Sequence, residues 1–301
     1  MKARSTTSLA MLALVFLVAI WSYNWIVMKS VLLYAGPFSF AALRTLSGSA
    51  LLFLLLLFMG RRIAPPPLIP VIAIGFTQTA GMTGVSQLAL VYGGAGNTAI
   101  LVYTLPFWMI MLAALFLKEK ITGVQMLALV FAGVGLTLVM QPWHGGSTVL
   151  GSCLAVFSGF LWACGAILNK ALFRKHPEIE VLSLTAWQTF FGSLGLGVLA
   201  FGVNEKAIDW SEYLIFALGY NAFLATAVAG VLWLFILRSL PTSISGLSLM
   251  LVPVTSVLLA WVLLDEVPDN TKLLGILCIV TGLLLTSGAF ALLRRAIAGR
   301  G

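Results

Sequence analysis

The chain has 301 residues, of which 61% are hydrophobic and 9% charged, with a formal net charge of +8. Soluble domains hold roughly 25% charged residues, so the composition excludes one, and a mean hydropathy of +1.09 assigns the chain to the membrane. The basic excess does not imply nucleic acid, because Lys and Arg fall in short loops between apolar runs, beside anionic lipid headgroups.

A first span is predicted over 9–29. The opening Met-Lys-Ala-Arg mimics a signal peptide, but the apolar run continues through Trp25 to Lys29 with no small-residue cleavage pattern. Further spans are predicted over 37–59, 68–90, 95–117, 121–140, 148–170, 180–203, 211–237, 242–264 and 271–292, each near the roughly 20 residues that cross a bilayer as a helix. Stretches such as Leu51 to Phe58, LLFLLLLF, lack the alternation of a barrel strand. The expected fold is therefore all-α and integral to the membrane, with ten transmembrane helices and no appended soluble module.

The two halves, 9–140 and 148–293, read as copies. Trp21 precedes Lys29 by eight residues as Trp162 precedes Lys170, and Thr45, Gly48 and Ser49 match Thr189, Gly192 and Ser193. Pro106 precedes Glu119 by thirteen residues as Pro253 precedes Glu266. Five spans per copy would turn the second copy upside down, giving inverted repeats around a midplane cavity, the architecture of secondary transporters. Orientation follows from the basic residues. With the N-terminus inside, thirteen of the seventeen Lys and Arg fall on the cytoplasmic side, including Arg61, Lys118, Lys170, Arg174 and Arg238. Both termini are predicted cytoplasmic.

Polar groups inside the spans carry the functional signal. All nine Asp and Glu fall in loops or at helix ends, which disfavours coupling through a buried carboxylate. His144 and His176 are expected in loops, and Cys153, Cys164 and Cys278 show neither metal spacing nor a disulfide framework. No metal and no cofactor are expected. Arg44 is the one fully intramembrane charge, about 10 Å along the second span. It could bind an anionic solute or brace neighbouring carbonyls. The second, structural role is preferred because its counterpart Gln188 is also polar. Ala41, Thr45 and Ser49, and Thr185, Thr189, Ser193 and Gly197, form small-residue stripes expected to be packing seams. Gly81, Gly84, Gly133, Gly135 and Gly282 take the same reading. Pro106 and Pro253, near the middle of spans four and nine, are expected to kink both helices and shape the cavity, leaving the carbonyls of Val102 and Leu249 short of a donor.

The substrate-binding candidates are aromatic, amide and hydroxyl residues. Trp21, Asn24, Trp25 and Met28 share one face of span one. Gln78, Met82 and Ser86 share a face of span three, and Trp162 and Asn169 a face of span six. Tyr103, Tyr220, Asn221, Ser243, Ser245 and Ser248 add neutral hydrogen-bonding groups. A cavity of this kind suits a small amphipathic or aromatic solute, and it lacks a cationic clamp.

Ten spans in two copies, an arginine or its stand-in early in each second helix, and a proline-to-glutamate stretch joining the fourth helix to the fifth resemble the EamA family of the drug/metabolite transporter superfamily, over about Leu9 to Leu293. The tryptophan-rich, acid-poor interior resembles its aromatic amino-acid and paraquat exporter branch. That resemblance implies a basket of helices one, three, four, six, eight and nine, with five and ten outside. Glu119 and Glu266 match the family pattern and are expected at helix starts, where a carboxylate favours the dipole; they are assigned structure. The expected function is export of amino acids, aromatic and other apolar ones included, across the bacterial inner membrane by facilitative alternating access. The alternative is export of drug cations or metabolites on the same fold. An intramembrane enzyme would need a paired nucleophile or base, and the candidates are isolated. A scaffold would lack saturable turnover, and an open pore would show it only weakly. The expected state is a monomer, with Gly-rich surfaces on spans five and ten that could pack a second copy or only lipid.

Overall fold

A computed structural model describes residues 2–61, 63–141, 147–242, 245, 249 and 251–286; Arg62, Trp143, His144, Ser243 and Ser248 lie outside these. The described residues form helices and no strand. In chain order the helices are α1 (Lys2–Ser30), α2 (Pro37–Phe58), α3 (Leu68–Tyr92), α4 (Ala95–Phe116), α5 (Gly123–Met140), α6 (Ser147–Lys175), α7 (Val181–Gly202), α8 (Glu212–Ser239), α9 (Leu251–Leu264) and α10 (Asn270–Thr286). Seven of them, α1 to α4 and α6 to α8, are long and apolar enough to cross a membrane, while α5, α9 and α10 are shorter apolar helices over their described residues. The protein is a multi-pass membrane protein.

Local chemistry sets the boundaries. Pro37 opens α2, where its missing N–H costs nothing. Thr122 and Gln125 form a reciprocal capping box that starts α5, and the Ser211 hydroxyl accepts from the Leu214 N–H to start α8. After α4 and α9 the chain turns through left-handed residues, Lys118 and Asp265, both at φ +55°. The N–H groups of Glu119 and Glu266 then close back on the carbonyls of Ala113 and Ala260, each at 3.2 Å.

The packing is reciprocal. α2 lies against α7 and α5 against α10; α1 packs on α8 and α9, and α6 packs on α3 and α4. Exchanging the first five helices for the last five leaves this pattern unchanged. In lipid such contacts depend on close backbone approach. A Cβ at Gly135 would sit 2.5 Å from the Gly275 carbonyl, and one at Gly282 would sit 2.8 Å from that of Ala128, so α5 and α10 meet backbone to backbone. Gly81 and Gly84 also make tight approaches, whereas Gly133 and Gly197 face open space and belong to no seam.

Two irregularities occupy the middle of the bundle. α3 widens into a π-helical segment over Gly75–Gly81, and α8 does the same over Asn221–Val228. π segments free backbone carbonyls and rotate the side chains that follow. Against them press two glycines at matching places: Gly192 of α7 on Gly75 and Thr79, and Gly48 of α2 on Thr226 and Ala222. α4 is interrupted rather than smoothly kinked, since Tyr103 and Thr104 leave the helix and Pro106 stands in the first turn of its second part, Leu105–Phe116. Gly159 of α6 approaches the Val102 carbonyl there so closely that a Cβ would collide with it. On α9 the expectation for Leu249 is corrected: its carbonyl accepts from the Val252 N–H at 2.9 Å, because α9 begins at Leu251 and Pro253 stands in its first turn.

Candidate functional site

The interrupted helix and the two π segments enclose a central cavity of about 110 Å³. A single water needs roughly 10–15 Å³ on that measure, so there is room for one small solute or several waters. α1 contributes Trp21, Asn24, Trp25 and Met28, the four residues expected to share a face. Gln78, Met82 and Ser86 reach the cavity from α3, Tyr103 from the break in α4, and Trp162 from α6. Across from them stand Ala225, Thr226, Gly230 and Trp233 of α8.

Aromatic rings make the wall. Trp162 is its hub, edge-on to Trp21 at 5.3 Å, to Tyr103 at 5.4 Å and to Trp233 at 5.8 Å between ring centroids. Such T-shaped pairs are favourable beyond their buried area. Trp21 is held in place by its indole N–H, which donates to the Ala225 carbonyl in the π segment of α8 at 3.1 Å.

Nine of the candidates therefore line one cavity: Trp21, Asn24, Trp25, Met28, Gln78, Met82, Ser86, Tyr103 and Trp162. Four others do not. Asn169 donates its amide to Gln78 Oε1 at 2.9 Å. Tyr220 donates its hydroxyl to the Ile20 carbonyl at 2.7 Å. Asn221 accepts from the Arg44 guanidinium at 2.8 Å and donates to the Ala217 carbonyl. Ser245 turns its hydroxyl onto the Pro241 carbonyl at 3.1 Å. The expected six-helix basket is also corrected, since α2 supplies Arg44 and Thr45 and α7 supplies Thr185, Gln188 and Thr189; among the described residues, α9 supplies no lining residue. These hydroxyls were expected in packing seams; the turn of each helix instead presents them to the cavity. Trp233 went unsuspected, although the spacing between copies pairs it with Ser86 on the favoured face of α3.

Arg44 overturns the expectation that a cationic clamp is missing. It is only 6% exposed, it lines the cavity, and one amino group is held by Asn221 while its Nε has no partner. Ion pairs among the described residues, Arg61–Glu180, Arg174–Glu119 and His176–Glu178, all lie at the ends of the helices. Three further buried cavity atoms have no partner: Asn24 Oδ1, Gln188 Oε1 and Trp233 Nε1.

Glu119 and Glu266 stand four residues before α5 and α10, not on their first turns, and brace other helices. The Glu266 carboxylate accepts from the N–H groups of Ala95 and Gly96 at the start of α4. Glu119 takes Arg174 at 2.6 Å and the Thr242 hydroxyl at 3.0 Å. Beside Glu266 lies a second cavity of about 460 Å³, bordered by Lys29, Asn97 and Lys272.

A helical membrane bundle with an aromatic, polar-lined chamber at its centre is the construction of a solute transporter. The sequence profile of the EamA-like transporter family matches the chain twice, over residues 8–141 and 149–288, and the protein belongs to that family. It is 25% identical to the uncharacterized transporter YoaV of Bacillus subtilis (strain 168), over 93% of this chain and 97% of that one. It is 29% identical to a probable amino-acid metabolite efflux pump of Escherichia coli (strain K12), over 88% and 90%. A pump of the same description from Salmonella typhimurium is 27% identical, over 93% and 95%. A crystal structure at 20% identity shares the fold with a TM-score of 0.73, covering 96% of this chain and 99% of that one.

Proposed function

We propose that the protein exports amino acids, aromatic and other apolar ones included, from the cytoplasm across the bacterial inner membrane. In this reading it has ten spans as two inverted five-helix repeats, 9–140 and 148–293, with both termini cytoplasmic. The solute enters from the cytoplasmic side, its side chain rests on Trp21, Trp162, Trp233 and Met82, and its polar ends meet Asn24, Gln78 and the groups around Arg44. Rocking of one repeat against the other then opens the outer side. Pro106 and the break at Tyr103, with Pro253 on the partner helix, let the cavity walls move. With no carboxylate inside a span, transport runs down the solute gradient.

The observation that carries this reading is the central cavity built from both halves, aromatic on its walls and supplied with unpartnered donors and acceptors. The names of two relatives, probable amino-acid metabolite efflux pumps, point the same way. The second reading, a lipophilic drug cation, draws on the same rings through cation–π attraction. The uncompensated Arg44 charge in the same cavity opposes it.

Uptake of a labelled amino-acid panel into liposomes holding the purified protein tests the proposal. Saturable uptake that equilibrates with or without a pH gradient is expected, and Trp162→Ala should lower it by about tenfold or more, as loss of a buried aromatic anchor does. Uphill accumulation driven by the pH gradient would contradict the facilitative mechanism, and uptake of no amino acid would contradict the substrate class.

A further inference from the structure

The two halves carry the same residue at some cavity positions and differ in charge at one. Thr45 corresponds to Thr189 and Trp21 to Trp162, whereas the place held by Arg44 in the first copy is held by Gln188 in the second. A buried guanidinium without a carboxylate is expensive, and natural proteins keep one in the membrane where it meets a counter-charge at some stage of function. Asn221 is neutral and occupies one amino group only, so the Nε–H remains open. Other lining groups have the opposite character. Gln188 Oε1 and Asn24 Oδ1 are unpartnered acceptors, and the Asn24 amide nitrogen reaches only the Met28 sulfur, a weak acceptor.

We infer that Arg44 is the carboxylate anchor of the substrate and that Gln188 and Asn24 receive its ammonium group, so the cavity selects zwitterions and reads which end is which. The inference rests on the amino-acid reading above and deepens it by naming the recognised groups. A carboxylate binds a guanidinium in charge-assisted hydrogen bonds and pairs its charge. The ammonium donates to two amide oxygens, so the filled cavity keeps the single positive charge it had when empty, now on a group that has acceptors of its own. Asn221 is a positioning residue that holds the guanidinium toward the chamber. A second arginine in place of Gln188 would build a site for two anionic groups instead, so the departure from symmetry at this position is what makes the chamber suit a zwitterion.

The test is a competition series in proteoliposomes, using the best labelled amino acid from the uptake panel. Unlabelled competitors are the same amino acid, its primary carboxamide, and the amine that remains after removal of the carboxyl group. In the wild type both carboxyl-free competitors should bind roughly 10- to 100-fold more weakly than the parent. Arg44→Gln should bring all three within about threefold of one another, and Arg44→Lys should keep part of the preference, since it retains the charge without the planar fork. Gln188→Arg should shift preference toward an amino acid with a second carboxylate. If Arg44→Gln does not fold, the wild-type series and Gln188→Arg still decide the matter. Equal competition by the carboxamide in the wild type would overturn the inference while leaving amino-acid transport intact. Uptake of no amino acid at all would overturn the underlying reading and this inference together.

Discussion

The two ends of the molecule are built from matching parts and held together by opposite chemistry. At one end the Lys29 ammonium bonds the Leu90 and Gly93 carbonyls where α3 ends, both at 2.8 Å; at the other the Lys170 ammonium bonds those of Leu237 and Leu240 where α8 ends, at 2.6 and 2.5 Å. Beyond that shared device they diverge. The Lys29 end is stitched by acids on helix N-termini: Glu205 on the Phe38 and Ser39 N–H groups of α2, and Glu266 on α4. The Lys170 end is stitched by arginines: Arg174 on Glu119, Arg61 on Glu180, and Arg238 on the carbonyls of Ile179 and Pro177. One charge bias thus does two jobs, since the residues that give the predicted cytoplasmic side its positive excess also close that side of the bundle.

The largest effects are expected at the shared lysines. Lys29→Met and Lys170→Met each strip two carbonyls of their donor, which should lower stability by about 2–4 kcal/mol and depress the thermal unfolding midpoint in detergent; an unchanged midpoint in either would break the equivalence of the ends. Next come the acids. Glu205→Ala and Glu266→Ala leave N-terminal amides of α2 and α4 uncapped, at about 1–3 kcal/mol, and the loss should persist in high salt because both contacts are partly buried. Arg174→Gln should cost about 1 kcal/mol, since its pair with Glu119 is partly solvated. That loss should shrink as salt rises, the reverse of the Glu266 result, and a salt-insensitive Arg174 variant would erase the contrast. Smallest of all is Arg61→Gln, expected within about 0.5 kcal/mol of the parent, because the pair spans 3.8 Å between exposed side chains.

Helices and their reciprocity were legible because hydrophobic runs and paired markers survive in the sequence: Pro106 with Pro253, Lys29 with Lys170, Gly48 with Gly192. The cavity was half legible. Regular helix phase placed Trp21, Asn24, Trp25 and Met28 together correctly, since α1 is an unbroken helix there. In α8 Tyr220 and Asn221 were candidates by residue type alone; there the π segment begins at Asn221, Tyr220 bonds the Ile20 carbonyl, Asn221 bonds Arg44, and Trp233 lines the cavity instead. The residues packed closely on the π segments, Gly192 and Gly48, are distant in sequence, so a local reading does not show them. Arg44 was visible as a buried charge but not as a lining one. Its depth could be counted along the helix, whereas its direction depends on how α2 packs against α7 and α8.

In the proposed complex one solute sits among Trp21, Trp162 and Trp233 with its carboxylate on Arg44. The decisive measurement is an experimental structure determined with the best transported amino acid at saturation. Carboxylate oxygens are expected within hydrogen-bonding distance of Arg44, with the ammonium on Gln188 or Asn24. A solute found in the cavity beside Lys29 and Glu266 with the central chamber empty, or one lying in the chamber with its carboxylate turned away from Arg44, would contradict it.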